Sequence, residues 1–387
     1  MKKNIFIIII FILFSTIIYS QDNWMLKGYV KGMTAMQTID DGNMAIENTL
    51  HNRFDVNWYI NDNFTFTAGL RNRIIAGNNI TLIPNYAEHV GRDTGYFDLS
   101  WVWADNNSWI DVSQLDRLMV DYSVGNIQVT IGRQRINWGQ TFVWNPNDLF
   151  NTYSYFDFDY EEKPGSDAVR LQYYIGESSK IELSTSINSD DKVTSALLYR
   201  FNTHGFDIQF LGGVFTESDY VLGGGFSGSI GGGGFSGELT YFHPMENDSE
   251  SNSEITATLH YDYTFKNSLN LQFETLYNGF GAEDMSGGLG EVLFMDLSPK
   301  NLFPTKVAFF GSGGYQITPL FYAMLAAMYG PEGNFLYVGP TLTYSMSDTI
   351  ELAAFGQYYF MDEIEDINGN SLANSGTAIF IRLKWSF

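Results

Sequence analysis

Cysteine is absent from the 387-residue chain. Disulfides, thiol chemistry and a lipid anchor on a leading cysteine are therefore excluded. Beyond Ser20 no run of eighteen apolar residues remains, so no transmembrane helix is expected. Convincing amphipathic helices of three or four turns are also missing, and an ordinary soluble enzyme of this size would show some. Basic residues are scarce: Lys and Arg total 21 against 44 Asp and Glu, a formal charge of −23. That balance opposes binding to nucleic acid or to an anionic lipid face.

What is present begins with Met1-Lys2-Lys3, an apolar run over 5–14 and a small-residue stretch over 15–20. This order predicts an export signal, residues 1–20, cleaved after Ser20, with an uncleaved anchor as the alternative. Loss of Lys2 and Lys3 takes the formal charge from −23 to −25. Residues 21–387 read as a single outer-membrane barrel domain. Thr377, Ile379, Ile381, Leu383, Trp385 and Phe387 alternate with their neighbours, as in a strand with one greasy face.

A chain that crosses lipid without helices must close a barrel, because every backbone group needs a partner. Period-two alternation predicts strands at 24–35, 49–60, 64–75, 111–123, 127–136, 167–176, 180–188, 192–201, 205–214, 219–229, 233–243, 253–264, 268–278, 304–314, 318–328, 334–345, 349–360 and 376–387. The class is all-β, a transmembrane antiparallel β-barrel of about eighteen strands. Short turns then fall on one side, the long loops on the other, and both termini in the periplasm. A separate strand at 94–104 would reverse the turn at Gly125-Asn126, so it is rejected. The Gly-rich stretch 223–237 leaves sixteen or twenty strands open. Residues 231–234 fit a tight turn, and the helix and lysine of a phosphate cradle are missing.

Alternation also assigns faces. Leu50, Asn52, Phe54, Val56 and Trp58 read as outward, and His51, Arg53, Asp55 and Asn57 as inward. The inward set forms a basic wall: Lys27, Lys31, Arg53, Arg71, Arg73, Arg117, Arg170, Arg382 and Lys384. Acidic candidates for the lumen are Asp55, Asp121, Glu182, Asp207, Glu238, Glu254 and Glu274. Facing walls of opposite sign would set up a transverse field in a water-filled constriction. In the alternative, the arginines pair with Asp55, Asp121 and loop acids to fill a closed interior. No ordered polar patch stands out among the outward positions, which favours a monomer.

One stretch departs from alternation. Residues 132–150 hold Gly132, Arg133, Gln134, Arg135, Trp138, Gly139, Trp144, Asn145, Pro146 and Asp148, and run into a long loop at 137–166. Two tryptophans and a proline suit a shaped loop. The expectation is that it folds into the lumen as a constriction, its carboxylates facing the arginine wall, with a cap on the outer rim as the alternative. Gly132-Arg133-Gln134, Trp138-Gly139 and Asn145-Pro146-Asn147-Asp148 resemble the motif of an uncharacterised porin-like outer-membrane β-barrel family of Gram-negative bacteria. That resemblance covers about thirty-five residues. It implies an outer-membrane barrel and supplies no substrate. Composition and a chain starting at Gln21 look like a Bacteroidota member.

Asp362, Glu363, Glu365 and Asp366 crowd a late loop and make a weak calcium candidate, lacking the Gly and Glu of the helix-loop-helix site. His51, His204, His243 and His260 have no zinc spacing, and no nucleophile elbow is present, so neither a resident cofactor nor an enzyme is expected. The expected function is diffusion of small polar or anionic solutes across the outer membrane. A non-transporting barrel serving as partner or scaffold of a surface or secretion complex, and an export pore for an anionic polymer, are the alternatives. Expected partners are outer-membrane lipid and lipopolysaccharide, a small polar solute and an unidentified protein.

Overall fold

The computed structural model describes residues 23–39, 43–83, 85–153, 155–156, 162–246, 252–281, 295, 297–362 and 374–387. The export signal and the calcium candidates Glu363, Glu365 and Asp366 lie outside these residues. The strands are β1 (Trp24–Ile39), β2 (Asn43–Tyr59), β3 (Phe64–Gly77), β4 (Ser100–Asp105), β5 (Trp109–Val124), β6 (Ile127–Gln134), β7 (Ser166–Ile175), β8 (Ser179–Ile187), β9 (Val193–Thr203), β10 (Phe206–Phe215), β11 (Asp219–Ile230), β12 (Gly233–Pro244), β13 (Glu254–Thr264), β14 (Leu269–Asn278), β15 (Val307–Thr318), β16 (Phe321–Gly330), β17 (Phe335–Ser345), β18 (Ile350–Phe360) and β19 (Ser375–Ser386). Two short helices, α1 (Asn79–Leu82) and α2 (Tyr86–Gly91), precede β4.

Every strand pairs antiparallel with its neighbours, and β19 pairs with β1 to close the sheet. Eighteen strands make the cylinder. Each coincides with one expected from alternation, including those of the Gly-rich stretch. The nineteenth, β4, is a short addition that pairs with β5 alone, opposite residues 110–114, where β6 has already ended. It occupies part of the rejected 94–104 segment without crossing the wall. Tight turns at Gly125, Gly205 and Gly231-Gly232 use positive φ, which glycine adopts without steric cost.

Burial alternates along the strands as a lipid-facing wall requires. Val169, Leu171, Tyr173 and Ile175 on β7 are exposed outward, while Ala168 and Gln172 are buried inward. At the short-turn end the outer rings meet in pairs: Trp24 stacks on Trp58 at 4.9 Å and Phe54 lies 5.9 Å from Phe387. Such amphipathic rings suit the edge of an apolar layer. Two departures from the sequence reading stand out. The β3–β5 register slips between Gly69 and Leu70, leaving Asp116 as a bulge residue beside inward Arg117. An ordered polar cluster also interrupts the outer face, at Asn52 and Asn72 on β2 and β3, correcting the expectation that none exists.

Candidate functional site: the lumen and its inserted segment

The chain leaves β6 at Gln134 and re-enters the wall at Ser166, and the described residues 136–153 and 155–156 between them lie along the inner face of the barrel. Its partners are inward side chains far around the sheet. Three buried wall carboxylates hold it. Glu182 on β8 accepts the Trp138 indole N–H at 2.7 Å. Glu238 on β12 accepts the amides of Gln140, of Thr141 at 3.0 Å and of Asn147 at 2.9 Å. Glu274 on β14 accepts those of Phe142 at 2.9 Å, Val143 at 3.1 Å and Trp144 at 2.7 Å. A backbone with no regular secondary structure needs acceptors when it is buried, and these carboxylates provide them.

Apolar packing completes the attachment. Ile136, Trp138 and Leu149 join Leu198, Leu211 and Phe242 of the wall in one cluster. Val143 and Trp144 join Phe303, Phe310, Phe335 and Tyr337 in another. Tyr155 and Phe156 reach Tyr337 and Tyr359, on β17 and β18. The Gly run of β11 has a role here. A Cβ on Gly223 would come within 2.8 Å of the Asn147 carboxamide oxygen, and one on Gly225 within 2.8 Å of Gln140 Oε1. Bare inward positions thus let the segment lie flat on the sheet.

The motif residues divide between roles. Gly139 is packed so closely on Asn145 that a Cβ would collide with its side chain. The Pro146 carbonyl accepts the Thr240 hydroxyl at 2.9 Å. Asp148 is buried with its Oδ1 3.5 Å from the Trp138 amide; burial pushes its carboxyl up to about 8, against the pull of Arg135. Arg135 lies over the Tyr153 ring at 5.7 Å. Gln134 donates to the Ala168 carbonyl at 3.1 Å. Arg133 takes no part in the lumen. It shares the outward parity of Ile131, pairs with Asp167 at 2.8 Å and with Asp93, and donates to the Phe97 carbonyl. Its work is to pin the segment before β4 onto β7.

The basic wall faces inward, and the structure gives most of it partners. Arg53 binds Asp55 at 2.8 Å and the bulge acid Asp116 at 2.6 Å, and lies 3.5 Å from Glu162. Arg117 donates to the Glu162 and Lys163 carbonyls at 2.6 and 2.9 Å. Arg71 donates to Gln114 at 2.7 Å, and Arg73 to the Val90 carbonyl of α2 at 2.7 Å. Lys31 and Lys384 flank the Tyr29 ring at 5.2 and 4.8 Å. Arg382 pairs with Glu351 at 2.8 Å and covers Phe355, and Lys27 is exposed near the short turns. Arg170 stands apart, bound to Glu182 at 2.7 Å together with Lys180 at 2.8 Å.

The acids are placed differently from the expected open face. Glu182, Glu238 and Glu274 point inward but lie beneath the segment, so the transverse field between two exposed walls is not what this geometry sets up. Asp121 accepts from Gln128 at 3.3 Å, Asp207 is exposed beside a short turn and accepts from Asn202, and Glu254 is half-buried at the loop end. Asp362 accepts from Asn334 at 2.7 Å. Sequence reading missed Asp116 and also the pair of Asp219 with Lys300 at 2.9 Å, which joins the stretch before β15 to the start of β11. A cavity of about 500 Å³ remains inside, between Phe142, Tyr155 and Lys163 of the segment and Met324, Thr341 and Phe355 of the wall.

A closed cylinder of eighteen strands, apolar outside and charged within, is a transmembrane β-barrel. Its fold is similar to that of OccAB/OprD-type outer-membrane porins. OccAB2 of Acinetobacter baumannii aligns with a TM-score of 0.57 at 14% identity, covering 95% of this chain and 98% of that one. OprD of Pseudomonas aeruginosa aligns at 0.58 and 9% identity, covering 94% and 95%. OccK11 (OpdR) of the same organism aligns at 0.57 and 9%, covering 94% and 96%. No protein-family model and no curated protein matches the chain.

Proposed function

We propose that this chain is a porin-like channel of a Gram-negative outer membrane, passing small polar or anionic solutes. In this reading residues 1–20 are removed on export, both termini lie in the periplasm, and outer-membrane lipid and lipopolysaccharide surround the wall. The motif's likeness to the porin-like family and a Bacteroidota origin belong to the same reading. The observation that carries it is the segment's position. Glu182, Glu238 and Glu274 lie beneath it, and the charged side chain in the described lining of the remaining space is a cation, Lys163, with Arg382 lying over Phe355 of the same lining. A water-filled constriction edged by cations favours anions.

Purified protein in a planar bilayer tests this. Discrete conductance steps with an anion-preferring reversal potential are expected; a folded protein that never conducts sinks the reading. One observation favours a second reading, a non-transporting barrel that acts as partner or scaffold. Lys31 and Arg53 are only 1% and 2% exposed, and apolar clusters occupy much of the interior. A silent bilayer recording together with a stably co-purifying protein would establish that reading instead.

A further inference from the structure

The outward face of β2, β3 and β5 does not look like the rest of the wall. Asn52 donates to Asn72 at 3.5 Å; Asn72 donates to Asp111 at 2.7 Å and to Ser113 at 3.0 Å. Thr34 on β1 donates to Asn48 at 2.8 Å. The strand pairing puts Asn52 opposite Asn72, Asn72 opposite Ser113, and Ile74 opposite Asp111, all on the side of exposed Leu50 and Leu70. This polar row is therefore set among outward apolar residues, with Leu70 and Ile74 flanking Asn72. Beside it β4 adds Trp101, paired with Ser113, and Trp103, 41% and 67% exposed, the second donating its indole N–H to Ser113 at 2.9 Å. By contrast, the described outward positions of β8–β19 carry no carboxamide or carboxylate.

Hydrocarbon offers such groups nothing, and amides or carboxylates at membrane depth normally face protein. Among the described contacts Asn52 serves only as donor and Asn48 only as acceptor. Tryptophan is among the side chains enriched at the centres of protein interfaces. We propose that this face is where two copies of the chain meet. Copies in one membrane hold the same residue at the same depth, and a two-fold axis along the membrane normal brings a patch against itself. Carboxamides, being both donors and acceptors, are complementary to themselves. The inference rests on the barrel spanning a membrane and not on what passes through it.

The absence of cysteine makes the test clean. Asn52→Cys and Asn72→Cys, each as the sole thiol, are oxidised in native outer membranes, with Leu259→Cys on β13 as control. Covalent dimers are expected from the first two and none from the third, and heat-dependent migration on gels verifies that each barrel is folded. Native mass spectrometry of the detergent-extracted wild-type chain is expected to show the dimer. Folded variants without a dimer band, a cross-link to a different protein, or a wild-type monomer carrying only bound lipid would each overturn the proposal.

Discussion

The Trp144 amide donates to the Glu274 carboxylate at 2.7 Å although 130 residues separate them in the chain. Removing that acceptor leaves three adjacent amides without it. Each buried orphan costs about 1–3 kcal/mol, so Glu274→Ala is expected to detach the segment near Phe142. Single-channel conductance should rise roughly twofold or more, with added open-channel noise. An unchanged trace would show that the apolar cluster alone holds the segment.

Trp138→Phe keeps the ring among Leu198, Phe150 and Leu211 but deletes the indole N–H that reaches Glu182. The expected loss is about 1–3 kcal/mol, the cost of a charged acceptor deprived of a buried donor. Urea unfolding of the lipid- or detergent-bound barrel measures it, and pairing the change with Glu182→Gln should give a smaller total than the two losses added.

Burial disfavours the charged form of Asp148 and pushes its carboxyl up to about 8 in the folded protein, from an ordinary value of 3.8. Between those values the folded state holds a proton the unfolded state has lost, so stability falls as pH rises through that window. The contribution is fully present below the lower value and gone above the upper one. Asp148→Asn, which cannot ionise, is expected to flatten this slope in the urea midpoint. A slope unaltered by the substitution would place the titration elsewhere.

Gly225→Val is expected to push the segment off β11, since even a Cβ there lies 2.8 Å from Gln140 Oε1 and 3.0 Å from Asn147 Nδ2. Gly212→Ala on the neighbouring strand meets only ordinary contact, 3.6 Å from the Val221 carbonyl, and serves as the silent comparison. Protease cleavage between Gln140 and Asn147 should appear in the first variant and not in the second.

Reversing two cations, Arg71→Glu with Arg117→Glu, should turn the reversal potential away from anions while the barrel still migrates as folded. Arg117 also holds the Glu162 and Lys163 carbonyls, so Arg117→Gln alone separates loop release from loss of charge. A potential unmoved by the double reversal would remove these residues from the conducting path.

The cylinder was legible because lipid enforces period two on every crossing strand. Strand 376–387 could be read from Ile379, Ile381 and Leu383 alone. The bulge left a weaker mark: outward Leu115 and Leu118 stand at odd spacing, and the residue that absorbs the slip is Asp116. Contacts of the segment were not legible in the same way. The attachment of Val143 to Glu274 depends on closure bringing β14 round to face β6, and no local pattern encodes that. Its one trace was the period-two pair Gly223 and Gly225, which also fits a turn-rich stretch.

The segment starts and ends at β6 and β7, yet it is fastened on β8, β12, β14 and, through Tyr155 and Phe156, on β17 and β18. Such a chord braces the cylinder across its width. Squeezing the wall sideways must strain those attachments, so the roundness of the barrel and the width of its narrowest passage are one mechanical quantity.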